Sequence, residues 1–273
     1  MSRILSANLF RLRRSGIFKW TLFLTTLVTA IATVYNCLSI HGEMSEYSLE
    51  TISLSTAPFI QIICAAVIIL FLGTDYSEKT VRNKLFVGSA RNSIYLANLI
   101  TGIIIGCSVN AAWLVGGLAG LPILGAWKMP LYQVLTYVLI SMLCTVSVSA
   151  VTTMICMLLR RKSIAVASTL VTIFAMIIIG SQLCDSLNQP EEYMSASVVD
   201  GDMVFNVEQN SQYIGGAKRT VYEIAVHTIP LGTSIMLSNC NLENPLADAA
   251  GSVFVTVYIS AVGAAVFRRK DMV

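Results

Sequence analysis

Few residues in this chain have side chains able to do chemistry, and they gather in short segments. The densest is Asp75-Tyr-Ser-Glu78-Lys79-Thr-Val81-Arg82-Asn-Lys84-Leu85, two carboxylates followed by three cations. Asp75 and Glu78 form an Asp-x-x-Glu variant of the capping box, a pattern that starts a helix. Gly88 is placed to end that helix in the left-handed conformation. Val81 and Leu85 lie four residues apart and share one face, with Lys79, Arg82 and Lys84 on the others. The pattern predicts a short, capped helix over Asp75–Val87 with a small apolar stripe. A plain linker would not need both caps, and loops with fixed structure tend to carry function.

A second constellation is a ladder of small polar residues, Ser141, Thr145, Ser149, Thr152 and Cys156, along one helical face. It reads either as close helix packing or as the mildly polar wall of a translocation path. Cys184 and Cys240 flank the largest polar segment and are candidates for a disulfide in an oxidising exterior. No C-x-x-C or Cys/His spacing suggests a metal. The sequence lacks G-x-x-x-x-G-K-[ST], H-E-x-x-H and G-x-S-x-G, so neither a P-loop nor a catalytic centre is expected. The two histidines, His41 and His227, read as isolated surface residues. The basic clusters sit in short turns beside apolar stretches, which topology explains better than nucleic-acid binding does.

The elements that position these residues are apolar. Six stretches contain no Asp, Glu, Lys, Arg or His: Trp20–Ile40, Thr51–Gly73, Ile94–Leu118, Met129–Leu159, Ser163–Cys184 and Ala249–Phe267. Of the 273 residues 55% are hydrophobic and 12% charged, about half the charge of a soluble domain. Each stretch approaches or exceeds the ~20 residues a helix needs to cross a bilayer. None alternates with period two, which excludes a β-barrel. The expected fold is an all-α polytopic membrane protein with six transmembrane helices. Trp20–Ile40 is too long for a signal-peptide core and reads as a retained span. Uncharged spans also argue against an ion-driven pump, which needs ionisable groups at membrane depth.

Orientation follows the basic residues. Of 18 Lys and Arg, all but Lys128, Lys218 and Arg219 fall on the side that holds both termini. Of 15 Asp and Glu, all but Asp75, Glu78 and Asp271 fall on the other. Both termini are therefore expected in the cytoplasm. Residues 1–19 are basic and amphipathic, with Leu5, Leu9 and Leu12 on one stripe and Arg3, Arg11 and Arg14 off it. This predicts a helix lying on the inner leaflet. Residues 20–184 hold spans one to five and the 75–87 helix. In the second span Pro58 predicts a kink or a delayed start. The third carries Gly102-x-x-x-Gly106, with Asn110 one turn on. Residues 185–248 form the outer segment. Asp200-Gly201 marks a small hairpin, and His227–Ser238, broken by Pro230 and Gly232, reads as a re-entrant or interfacial helix. Residues 249–273 hold the sixth span and a cytoplasmic tail.

Three places resemble a known family. They are Gly73-Thr-Asp-Tyr-Ser-Glu-Lys-Thr-Val-Arg-Asn-Lys-Leu85 with Ser93-Ile-Tyr-Leu-Ala-Asn-Leu99; Tyr213–Glu223 with Ile229-Pro-Leu-Gly-Thr233; and Phe267-Arg-Arg-Lys-Asp271. Together with the layout, they resemble the permease subunit of an ABC transporter of the type-two exporter class. One departure is Thr233, where members often carry Gln after Pro-x-Gly. The resemblance implies a coupling helix, with Asp75, Glu78, Val81, Arg82, Lys84 and Leu85 contacting a separate ATP-binding cassette subunit. ATP and Mg would be bound by that partner and no cofactor by this chain, which would not itself be an enzyme. A second permease subunit, identical or homologous, would complete a path for an amphipathic or hydrophobic substrate such as an antimicrobial peptide or drug. The expected location is a plasma membrane, bacterial and multi-pass. The alternative is a non-transporting sensor or scaffold that binds a ligand or partner through its outer segment.

Overall fold

The computed structural model describes residues 1–40, 48–77, 80–124, 128–159, 161–199, 202–240, 242 and 244–269. The first half contains α1 (Ser2–Arg14), α2 (Gly16–Ile40), α3 (Leu49–Leu54), α4 (Ala57–Ser77), α5 (Thr80–Phe86), α6 (Arg91–Gly117) and α7 (Leu121–Leu124). There follow α8 (Leu131–Leu158), α9 (Lys162–Leu187), strands β1 (Glu192–Val199) and β2 (Asp202–Gln209), α10 (Gly216–Thr228), α11 (Pro230–Ser238) and α12 (Pro245–Arg269). Among the described residues, six helical segments are long and apolar enough to cross a membrane: α2, α3–α4, α6 to α7, α8, α9 and α12. The protein is an all-α polytopic membrane protein bearing one β-hairpin.

Continuous apolar sequence forms helix because a backbone in hydrocarbon must satisfy its own hydrogen bonds. The breaks have local causes. Ser15 takes an extended conformation and divides α1 from α2. Pro58 falls in the first turn of α4, where its missing N–H is tolerated. The second span is accordingly two helices, the short one capped by Ser48, whose Oγ accepts from Thr51 N at 3.3 Å. Pro230 and Pro245 open α11 and α12 in the same way. The strands pair antiparallel with Val199 opposite Asp202, as the predicted hairpin requires. The Asp200-Gly201 turn itself lies outside the described residues.

The centre of the bundle is α4, α6 and α8. Gly102 and Gly106 let α6 approach α8: a Cβ at Gly106 would stand 2.6 Å from Ser149 Oγ, and one at Gly102 2.8 Å from Thr153 Oγ1. Helix α2 packs outside α6, α9 outside α4 and α12 outside α8. Helix α11 inserts among α4, α8 and α9, burying Leu231, Thr233, Ser234 and Leu237.

One expectation is corrected. The spanning helices are longer than the uncharged stretches and do contain carboxylates. Asp75 lies in α4 and Asp248 in α12, both with no exposed surface, and Glu50 is buried in α3. A helix that still has hydrogen bonds to make does not stop at the first charge when that charge finds a partner inside the protein.

Gly116 tests the α2–α6 contact. A Cβ there would fall 2.7 Å from the Thr26 carbonyl oxygen and collide with the Thr29 hydroxyl. Gly116→Ala should lower stability by about 1–3 kcal/mol, read as a lower thermal midpoint in detergent. Gly16→Ala, which meets nothing within 4 Å, should leave the midpoint in place. Equal midpoints for the two variants would contradict the packing.

Candidate functional site

The segment around Asp75 is a structured site, built differently from the sequence expectation. Helix α4 runs on to Ser77, so Asp75 sits in its last turns and caps nothing. The capping-box reading is thereby corrected; its other member, Glu78, lies outside the described residues. Asp75 remains helical because its carboxylate is occupied elsewhere. Helix α5 starts at Thr80, whose hydroxyl donates to the Asp75 carbonyl at 2.8 Å. Its end is as predicted. Gly88 has φ +82°, Gly88 N donates to Leu85 O at 2.9 Å and Ser89 N to Lys84 O at 3.2 Å. This pair of bonds is the Schellman motif, which only a residue tolerant of positive φ closes without strain.

Asp75 is the hub. One carboxylate oxygen pairs with Arg11 Nη1 and the other with Lys84 Nζ at 3.0 Å. Lys84 also donates to Asn8 Oδ1 at 3.2 Å. Asn8 Nδ2 donates in turn to Asn98 Oδ1 at 2.8 Å and Thr101 Oγ1 at 3.3 Å. Four helices, α1, α4, α5 and α6, are thus joined through one polar chain. Two cations meet one carboxylate at a helix C-terminus, where the backbone also favours positive charge. The Arg11 guanidinium lies 4.4 Å over the Phe71 ring.

The expected coupling residues divide. Asp75, Lys84 and Leu85 turn inward, Leu85 packing near Ile4, Tyr95 and Phe267. The side chains of Val81 and Arg82 lie outside the described residues. The exposed apolar surface of the elbow is instead Phe86 and Val87, 76% and 86% exposed, which the stripe reading missed. Helix α1 is also more than an amphipathic raft. Leu12 and Leu9 pack with Ile68 and Leu72 of α4, and Arg11, read as lying off the stripe, reaches Asp75. The available signal was Asn8, one turn from Leu12 on an otherwise apolar stripe.

The hydroxyl ladder of α8 faces protein. Ser141, Thr145, Ser149 and Thr152 are all fully buried. Asn110 Nδ2 donates to Ser141 Oγ and to Thr145 Oγ1, both at 2.8 Å, and Gln61 Nε2 donates to Thr145 Oγ1 at 3.1 Å. Within this chain the ladder is a packing seam between α4, α6 and α8, not the open wall of a path. The suggested Cys184–Cys240 disulfide is also corrected: both are free thiols. Cys184 packs with Leu187 and Val226, Cys240 near Leu54, Ala57 and Leu237, in separate apolar clusters. Burial pushes the Cys240 thiol up from its ordinary range.

The acidic end holds a second polar node. His227 Nδ1 stands 2.7 Å from Asp248 Oδ1, and the histidine side chain is only 18% exposed. The surface reading of His227 is corrected; its partner is 21 residues away on another helix, so no local pattern announces it. Arg219 Nε donates to Glu223 Oε1 at 3.1 Å. Arg219, Glu223 and His227 line a cavity of about 180 Å³ with Asn188 and Asn244. The other histidine, His41, lies outside the described residues. Among those residues no group of three or more His, Cys, Asp or Glu is arranged to hold a metal.

No family model matches the chain, and no curated protein is similar to it.

Two outcomes follow from these contacts. Asp75→Ala leaves two part-buried cations without their carboxylate, and stability should fall by about 3 kcal/mol, near the lower end for a broken buried pair because Arg11 is partly exposed. Denaturant unfolding in detergent measures this; a loss under ~1 kcal/mol, the value of a surface pair, would contradict a hub. Reductant should change neither the thermal midpoint nor the gel mobility of the wild type, and a reductant-sensitive mobility would restore the bridge.

Proposed function

We propose that the chain is the membrane-spanning permease subunit of an ATP-driven ABC exporter. It works with a separate ATP-binding cassette dimer and with a second permease subunit, identical or homologous. The observation that carries this reading is the elbow of α5. It exposes Phe86 and Val87 within a stiff Schellman end, while Lys84, at the start of that motif, is tied through Asp75 and Asn8 to α1, α4 and α6. An apolar tip on an otherwise charged loop is a docking contact. A tip tied to three further helices passes a push from an ATPase into the bundle. Lys84 and Leu85 hold the lever on this account, and Phe86 and Val87 engage the partner.

On this reading both termini and the elbow lie on the ATP side of a bacterial plasma membrane, and the Lys and Arg excess of the basic end supports that orientation. Cargo is amphipathic or hydrophobic, such as an antimicrobial peptide or a drug. A polar cavity of about 540 Å³ beside α9 and α10, lined by Gln182, Asp185, Gln189, Gln212 and Tyr222, favours the second reading, a sensor that binds a ligand through its outer segment.

The discriminating variant is Phe86→Asp with Val87→Asp. The membrane level and thermal midpoint of this variant are read beside the wild type, and Val87→Asp alone, at the more exposed position, should leave both unchanged. Recovery of the ATPase with the purified chain should fall about tenfold or more, as when contact anchors are lost. Undiminished ATPase recovery and transport would remove the exporter reading. Transport driven by a proton gradient in vesicles without ATP would instead place the work on His227 and Asp248.

A further inference from the structure

We infer that the elbow between α1 and α2 holds a binding site for the phosphate of one anionic phospholipid. A cavity of about 300 Å³ lies there, between the elbow and the C-terminal end of α4. Its polar side is Arg11, Arg14 and Ser15; its apolar side is Phe18, Leu70 and Phe71. A pocket that joins two guanidinium groups to an apolar slot has the chemistry of a lipid head and the start of its acyl chain.

The charge is not used up within the protein. Arg11 gives Nη1 to Asp75, while its Nε and Nη2 are buried and find no hydrogen-bond acceptor. Unmet buried donors on a cation are costly, and native structures rarely keep them without a partner. The single carboxylate of Asp75 is already shared with Lys84. Arg14 at the same cavity is exposed and lies 5.3 Å over the Phe10 ring. A phosphate diester in the cavity supplies two acceptor oxygens and a negative charge to Arg14 directly and, once the Arg11 side chain turns, to its covered Nε and Nη2; Arg is the side chain best shaped to bind it. Ile17, 65% exposed, and Leu70, 39% exposed, form the open part of the cavity's apolar wall and give an acyl chain a start along α2 and α4.

Placement agrees with the chemistry. The cavity sits at the end of the bundle that carries the basic loops, at the depth where α1 meets the spanning helices. An anionic lipid seated there would rest against Arg11 and so against the Asp75 hub, stiffening the junction of α1 with α4. This holds whether or not the chain works with an ATPase.

The test is native mass spectrometry and thermal melting of the full-length chain in detergent, with phosphatidylglycerol, phosphatidylcholine or inorganic phosphate as probe. Wild type should retain phosphatidylglycerol about fivefold more than phosphatidylcholine, the value of one basic residue beside an anionic head group, and should melt higher with it. Arg14→Gln, outside the ion pair, should cut that preference to about half, Arg11 holding the remainder, with the lipid-free midpoint unchanged. Leu70→Trp, which fills the apolar slot, should lower retention of both lipids. Equal retention of the two lipids by wild type would overturn the site, as would an Arg14→Gln variant that keeps the whole preference. Displacement of the lipid by an equal concentration of inorganic phosphate would reduce it to a free-anion site and overturn the lipid assignment.

Discussion

A carboxylate with no exposed surface at the end of a spanning helix has to be neutralised or the helix cannot end there. Asp75 is that group, and the arrangement of the basic end follows from its requirement. Arg11 must come from α1, so α1 cannot drift along the membrane surface but docks on α4. Lys84 must come from α5, so the chain turns back immediately after α4. Asn8 then links Lys84 to Asn98 and Thr101 of α6. Replacing such a cluster with apolar residues can stabilise a fold. What the polar version supplies is a fixed register between four helices, because its donors and acceptors come from different helices and meet only in this arrangement.

The middle of the bundle is held by a different means. Lipid tails are as apolar as leucine, so the hydrophobic effect does not draw two spanning helices together. Close packing and buried hydrogen bonds do. The glycines of α6 bring its backbone against α8, and Asn110 and Gln61 then reach hydroxyls that a larger interface would have kept apart. Each such bond contributes only about 0.6 kcal/mol on average in a membrane, so the seam depends on shape as much as on polarity. Ser147 extends it to α12 through the Ser252 carbonyl at 2.7 Å. That is why α4, α6 and α8 bury half or more of their apolar windows while α2, α9 and α12 bury less than a quarter.

What could be read in the sequence is what depends on composition and on single residues with strong backbone preferences. The six spans, the hairpin strands, the delayed helix start at Pro58 and the left-handed Gly88 all belong to that class. What could not be read depends on pairing at a distance. Asp75 looked like a helix start because Asp-x-x-Glu is a start signal locally. Its real partners, Arg11 and Lys84, are 64 and 9 residues away. His227 looked isolated for the same reason. The inward turn of Leu85 and the exposure of Phe86 differ by one residue, a 100° rotation that a stripe of only two apolar positions cannot specify. The hydroxyl ladder was recognised as a face, but whether that face met lipid, a path or another helix was a property of α6 rather than of α8.

The outer helices make the complementary argument. Phe23, Leu27 and Ile31 of α2, Val171, Phe174 and Ile178 of α9, and Phe254, Val257 and Tyr258 of α12 all face outward. Such faces are satisfied equally by acyl chains or by another apolar helix, so their hydrophobicity sets depth in the membrane and leaves association to shape. Specific contacts therefore have to come from the two ends, where polar groups are available. One end offers Phe86 and Val87 beyond the Asp75 hub; the other offers the cavity around His227 and Arg219. Helices α4, α6, α8 and α12 run between these ends and interlock through glycine and hydroxyl contacts, so the Asp75 hub and the Asp248 end of α12 belong to one packed group.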